Sequence, residues 1–434
     1  MHKIVFIIYI ISALGCVMDK ENDALLPEIN IEKNLSNLKP LQLSDFVSNV
    51  NYITLDKDPI LFRQIYQVDF SKEMILVRDL DNNVLYDMCG NYVNKIGSKG
   101  RGPGEYTYIR NSKIGSNDNI YIHDTRSIMV YNLNGNYIRK FNPELNADYT
   151  VFSEHKNELI HMKVEVSSWS FYNDSLFFGQ IPNYTGNQEY KAILFNDRGK
   201  IIKKFRNWIF LNRERPLFSE REGNANIVQY RGNTYFKEII NDTLFVINDQ
   251  LFLEPIYYFN LGMYAEPIEN RELDLRSESR KSIDNYIFIN NIFITPNYFF
   301  LDCYLGKHSP AKRQEQVEMS GIFSEFYTRN VLGVYNKTSG ELIFTQPTPI
   351  DNHFLNKGLY NDVDGGLNFY PKERVNDSTL AMWIDAYILK NHVASEAFKN
   401  FTPKYPEKKK QLEELASRLD ENDNPVLMLV KLKE

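Results

Sequence analysis

The stretch Tyr86-Asp87-Met88-Cys89-Gly90-Asn91-Tyr92-Val93-Asn94-Lys95-Ile96-Gly97-Ser98-Lys99-Gly100-Arg101-Gly102-Pro103-Gly104-Glu105-Tyr106 decides the fold. Up to Ile96 it reads as a strand, a tight turn at Gly90-Asn91 and a return strand, because Gly and Asn accept the positive φ of such turns. Residues 97–104 hold four glycines and one proline, a composition that suits a shaped connection and excludes regular structure. A hairpin followed by a fixed connector reads as one blade of a β-propeller handing over to the next.

That reading requires repeats. Tyr131-Asn132-Leu133-Asn134-Gly135 and Phe195-Asn196-Asp197-Arg198-Gly199 copy the hairpin, with the aromatic at the same distance before the glycine. Tyr335-Asn336-Lys337-Thr338-Ser339-Gly340 is a fourth copy with one extra residue. Gly90 and Gly135 lie about one propeller blade (roughly 40–45 residues) apart. A second device recurs as Asn173-Asp174-Ser175, Asn241-Asp242-Thr243 and Asn376-Asp377-Ser378, each before an apolar run; Asn and Asp bond their own backbone in such turns.

The chain resembles the six-bladed β-propeller lipoproteins of Bacteroidetes, which are related to NHL-repeat propellers. Three segments carry the resemblance: Val50-Asn51-Tyr52-Ile53-Thr54-Leu55, the connector from Ile96 to Tyr106, and Asp423-Asn424-Pro425-Val426-Leu427-Met428-Leu429-Val430-Lys431-Leu432-Lys433. It implies an all-β fold of six four-stranded antiparallel blades over residues 41–434 and gives little guidance on chemistry. The first and last of these segments are expected to lie side by side and close the ring, which removes open sheet edges. Before the last strand, expected at 426–432, residues 404–420 read as an amphipathic helix with Leu412, Leu415 and Leu419 on one face. Residues 266–284 and the insertion 306–330 are read as helical or loop segments, 159–166 and 367–370 as blade strands, and 379–389 as one strand.

The amino terminus reads as a targeting segment. Lys3 precedes the apolar run 4–11, which is too short to span a bilayer. Ala13-Leu14-Gly15-Cys16 resembles a bacterial lipobox, so residues 1–15 are expected to be a signal peptide and Cys16 the acylated first residue. Residues 16–40 are polar and read as a flexible tether. The acidic stretch 19–23 resembles the export signal of surface lipoproteins and reads equally as a solvated linker. The expected location is the bacterial outer membrane, at the cell surface or on the periplasmic side, with the lipid as membrane anchor.

A net charge of −6 and the lack of a basic block argue against a nucleic-acid partner. Cys89 and Cys303 are far apart, form no metal motif, and are expected to be buried small hydrophobes. The candidate binding residues are Lys99 and Arg101 in the connector and the pair His123-Asp124. Glycine-rich loops can cradle anions, but this one lacks the Gly-Lys-Ser/Thr ending of a P-loop, Pro103 removes a donor, and Glu105 opposes an anion. Gly97, Gly100, Gly102, Pro103, Gly104 and Glu105 therefore read as a structural motif. Of the histidines, none forms a His-x-x-x-His pair. The reading names no catalytic residue, metal ligand or cofactor. The expected function is non-enzymatic binding of a glycan, a peptide or an outer-membrane protein. The alternative is a lyase or hydrolase with an axial site, with or without a divalent metal, which is recognised by three or more of His123, His155, His161, His353 and nearby carboxylates converging at the axis.

Overall fold

A computed structural model describes residues 26–433 except 126, 144, 146–147, 154–157, 214–215, 217–219, 275–276, 311, 317–322, 328, 347 and 350–354. Signal peptide, Cys16 and the acidic stretch lie outside the described residues.

Six four-stranded antiparallel sheets make the propeller. Blade one is Gln67–Phe70, Met74–Arg78, Asn83–Asp87 and Tyr92–Lys95, innermost strand first. Blade two is Ile109–Ile114, Asn119–Asp124, Ser127–Asn132 and Tyr137–Phe141. Blade three is Trp169–Phe171, Leu176–Gln180, Tyr190–Asn196 and Ile201–Arg206. Blade four is Ala225–Tyr230, Asn233–Glu238, Thr243–Ile247 and Leu253–Asn260; blade five is Phe288–Ile294, Tyr298–Tyr304, Asn330–Asn336 and Leu342–Thr345. Blade six joins both ends of the chain: Glu373–Asn376, Thr379–Ile384 and Val426–Leu432 are completed on the outside by Val47–Ile53. Val50 pairs with Val430 and Tyr52 with Met428, so the ring closes as the sequence implies.

The repeated hairpin motif has a three-part physical basis. Its aromatics, Tyr86, Tyr131, Phe195 and Tyr335, are buried between blades. The next residue caps the turn: Asp87 Oδ1 accepts the Asn91 amide at 3.0 Å, Asn132 Oδ1 that of Asn136 at 2.9 Å, and Asn196 Oδ1 that of Lys200 at 3.0 Å. The glycine supplies positive φ and lets the turn press on the preceding blade. A Cβ on Gly90 would stand 1.9 Å from the Thr54 carbonyl oxygen, on Gly135 2.5 Å from that of Lys95, and on Gly199 1.8 Å from that of Asn142. Gly340 has no such neighbour, the nearest atom being the Tyr335 hydroxyl at 4.0 Å. The Asn-Asp-Ser/Thr devices are turns of the expected kind; Asn173, Asn241 and Asn376 each accept the amide two residues on, at 3.0, 3.1 and 3.0 Å.

Several segments differ from expectation. Residues 26–40 are not a free tether. Glu28–Asn30 adds a parallel strand to the outer edge of blade four and Leu38–Lys39 one to blade five, with Ile29 and Ile31 fully buried. Alternating Ile29 and Ile31 behind Leu25-Leu26-Pro27 are apolar enough to reward docking, at about 1.5–3 kcal/mol per buried side chain. The insertion in blade five is a hairpin, Lys312–Gln316 with Phe323–Tyr327, and Glu158–Lys163 belongs to another hairpin outside blade three. Residues 367–370 make one isolated bridge instead of a strand. After Ile384 the chain turns helical, as Ala386–Ala394, Glu396–Asn400 and Pro406–Arg418; Leu412 and Leu419 are buried and Leu415 packs beside them. Between 266 and 284 the described residues hold one short helix, Ile268–Glu272, and the start of a turn.

Strands of a blade alternate in direction, so the turns between first and second and between third and fourth strands share one face. These turns are short, at 71–73, 115–118, 172–175, 231–232, 295–297 and 377–378 for the first kind. The long connections, 142–168, 207–224, 261–287, 305–329, 346–372 and 385–425, all fall on the opposite face. One face is bare and the other is built up. Among the described residues no helix is long and apolar enough to cross a membrane.

Candidate functional site

The six innermost strands surround an axial cavity of about 440 Å³. On blades one, two and four, strand alternation presents every second residue to it. Gln67 and Asp69 come from blade one, Asn111 and Lys113 from blade two, Asn226 and Val228 from blade four, and Glu373 and Arg374 from blade six. Polar side chains also tie the blades in succession from one to six. Gln67 Nε2 donates to Asn111 Oδ1 at 2.7 Å, Asn111 Nδ2 to the Trp169 carbonyl at 3.2 Å, and Asn226 Nδ2 to the Asn290 carbonyl at 3.1 Å. Gln229 of blade four reaches back to the Phe171 carbonyl of blade three, and Arg374 to the Ile294 carbonyl of blade five.

Three ionisable groups meet on one wall. Lys113 Nζ is 3.6 Å from Asp69 Oδ1, and Asp69 Oδ2 accepts the Ile114 amide at 2.7 Å. Glu373 Oε1 accepts the Arg374 amide at 3.1 Å. Burial raises the Glu373 carboxyl to about 7, with Lys113 pulling against it and Asp69 adding to it. Burial also raises Asp69, and Lys113 restrains that rise. Burial disfavours the Lys113 ammonium, but the two carboxylates outweigh it and hold its pKa above the ordinary lysine value. The pocket thus combines amide and hydroxyl groups, half-buried Phe70 and Phe171 rings, and a carboxylate–ammonium–carboxylate cluster of which one acid titrates near neutrality. Such a surface can bind a polar, hydrogen-bonding molecule and can also give or take a proton.

The residues singled out from sequence stand elsewhere and do not converge. Lys99 is exposed and pairs with Asp81 on the built-up face. Arg101 is exposed. The connector amides are engaged internally: Gly102 donates to Glu105 Oε2 at 2.7 Å and Gly100 to the Tyr106 carbonyl at 3.0 Å. Gly97 lies against the Tyr106 and Tyr131 rings, and Tyr131 donates to the Gly104 carbonyl at 3.0 Å. His123 is buried in the second strand of blade two, and burial, then Arg110, push its pKa down to about 3. Asp124 Oδ1 accepts the Thr107 and Tyr108 amides at 2.8 and 2.9 Å, fixing the end of the connector. The side chains of His155, His161 and His353 lie outside the described residues, and among those described no group of three metal-ligating side chains comes together.

Other side chains have local roles. Cys303 is buried as expected, whereas Cys89 is exposed because its hairpin turn faces solvent. Trp169 is core; Trp208 is 52 % exposed, with the Lys191 ammonium 4.0 Å from its ring centre. Asp362 accepts the Ser44 amide at 2.9 Å, and Glu222 pairs with Arg213 at 2.5 Å in the interior.

Comparison with known proteins agrees with this architecture. A protein of Bacteroides fragilis described as exported superposes with a TM-score of 0.63 at 15 % identity, over 94 % of this chain and 100 % of that one. A member of the DUF4221 family from Bacteroides vulgatus gives a TM-score of 0.43 at 13 % identity, over 89 % of this chain and 97 % of that one. The first likeness is one of fold. No curated protein matches the sequence. The model of a family described as a domain of unknown function, DUF4934, matches residues 26–431, and the chain belongs to that family.

Proposed function

We propose that this chain is a binding module of the bacterial cell envelope, tethered by a lipid on Cys16 to the outer membrane, that takes a small polar ligand of glycan or peptide origin into the axial cavity. One observation carries the reading: the cavity is lined by amide, hydroxyl and ionisable side chains from the innermost strands, where an apolar plug would suffice to close a ring. The exported B. fragilis protein of the same fold supports the location, and the signal-peptide pattern supports the anchor. The resemblance to NHL-like lipoproteins agrees with both. The test is a thermal-shift screen of oligosaccharides and peptides on the wild type and on Asn291→Trp. Asn291 lines the cavity, is half-buried, and bonds the Ile292 amide beside it at 2.9 Å, so the indole fills the cavity without breaking an inter-blade tie. Ligands that stabilise the wild type and not the variant support the reading; equal stabilisation of both places the site elsewhere.

A second reading, an axial hydrolase or lyase, is favoured by Glu373. A carboxyl that titrates at about 7 beside Asp69 in a cavity has the property of a general acid. It predicts turnover of a ligand found in the screen and its loss in Glu373→Gln.

A further inference from the structure

The bare face carries a group of cations around the mouth of the cavity. Arg231 occupies the two-residue turn of blade four at φ +48°, beside Gly232 at +78°. Asn and Gly are the ordinary occupants of such a turn. Lys337 lies in the turn between the third and fourth strands of blade five and donates to the Thr295 carbonyl. Arg374, on the innermost strand of blade six, donates to the adjacent Ile294 carbonyl and to that of Asn376 at 3.2 Å. Bonds to neighbouring carbonyls place Lys337 and Arg374 side by side. The guanidinium of Arg374 is 4.8 Å from the centre of the Tyr230 ring and that of Arg231 is 5.5 Å from it. Blades four and six thus bring two cations to the Tyr230 ring, and the blade-five Lys337 ammonium lies beside them, 4.3 Å from the centre of the Phe299 ring.

Their counter-charge is incomplete. Asp377 accepts the Arg231 backbone amide at 3.3 Å. Among the described residues no carboxylate oxygen stands within ion-pair distance of the three cationic side chains. Two donors at the same place also lack partners among the described residues. They are Arg374 Nε and the hydroxyl of Tyr230, a residue only 5 % exposed. Burial, and to a smaller extent Arg231 and Arg374, lower the Lys337 pKa to about 8. Arg374, Asp377 and Gln229 line the axial cavity, so cluster and cavity are continuous.

We propose that Arg231, Lys337 and Arg374, with the Tyr230 hydroxyl, form an oxyanion-binding subsite at the bare-face mouth of the cavity, which takes a carboxylate, sulfate or phosphate group of the polar ligand. This deepens the axial reading and rests on it for the body of the ligand, but the subsite itself is testable with the anion alone. Guanidinium and ammonium donors around a hydroxyl match tetrahedral or planar oxyanions.

The experiment is thermal unfolding of the whole protein at constant ionic strength, with sodium chloride replaced stepwise by sulfate, phosphate or acetate. The proteins are the wild type, Arg231→Asn with Lys337→Gln, and Asn291→Trp. Asn suits the positive φ at 231, so the double variant keeps its turn. The expected result is a saturable rise in Tm for at least one anion in the wild type, reduced by half or more in the double variant. The anion that acts identifies the group as carboxylate, sulfate or phosphate. Persistence of the rise in Asn291→Trp locates the anion at the rim independently of the cavity. Equal rises in the wild type and the double variant with every anion, or no saturable rise with any, overturn the proposal. Failure of the axial reading shows separately, as a ligand screen insensitive to Asn291→Trp.

Discussion

Alanine at the hairpin glycines separates two costs that the repeat combines. At Gly199 an L side chain must adopt φ +80°, which costs about 1–2 kcal/mol. Its methyl carbon would also stand 1.8 Å from the Asn142 carbonyl oxygen of the preceding blade. Relieving that contact moves backbone against backbone, an overpacking cost of about 1–3 kcal/mol. At Gly340 φ is +71° and the nearest atom is 4.0 Å away, so only the first cost applies. The gain from a stiffer unfolded chain is common to both positions and cancels in the difference. Gly199→Ala is therefore expected to lose about 1–3 kcal/mol more than Gly340→Ala. Gly135→Ala, at 2.5 Å from the Lys95 carbonyl oxygen, falls between them. Urea unfolding followed by tryptophan fluorescence measures this, read as midpoint shifts at unchanged slope. Equal losses at 199 and 340 would refute the idea that the repeated glycine serves blade-to-blade contact.

Glu373→Gln tests the half-buried cavity acid. The folded-state pKa of Glu373 is raised to about 7, so the folded protein favours the proton. The stabilising contribution is complete below the unfolded value near 4.5 and is lost as pH rises through about 7. The variant should raise Tm relative to wild type at pH 8 and not at pH 4.5, with a difference on the order of 3 kcal/mol; a pH-independent effect contradicts the assignment. The Lys191–Glu238 pair joins blades three and four with its side chains almost fully buried. Glu238→Leu should cost about 3–5 kcal/mol by stranding a buried ammonium, and adding Lys191→Met should recover most of it; urea midpoints of the single and double variants decide. Ile31→Ala, in the segment clipped to blades four and five, should lower stability by about 2–5 kcal/mol, whereas a free tether would show no change in the same unfolding assay.

The local parts of the fold were legible because their physics is local. An aromatic, a turn-capping Asn or Asp and a glycine at fixed spacing specify a hairpin whatever surrounds it, and Tyr86, Tyr131 and Phe195 are buried accordingly. The innermost strands were harder to see. Glu373–Asn376 and Ile109–Ile114 face a polar cavity on one side, so they lack the apolar alternation by which strands are recognised. One signal was available. Gln67 and Asp69 recur as Asn111 and Lys113 at the same offset, polar residues at matching positions of successive repeats. The cationic mouth had no such trace, because Arg231, Lys337 and Arg374 occupy different positions in their blades and meet only when the ring closes. His123 and Lys99 drew attention by residue type alone, and packing gives one a buried strand position and the other an ion pair on the opposite face.

The most direct measurement is a crystal structure of the protein soaked with whichever compound of the oligosaccharide and peptide screen gives the largest stabilisation. The account predicts density for that compound on the propeller axis, in contact with Asp69, Lys113 or Glu373 and opening toward the face of short turns. Density on the face built from the long connections, with the axial cavity unchanged, would contradict it.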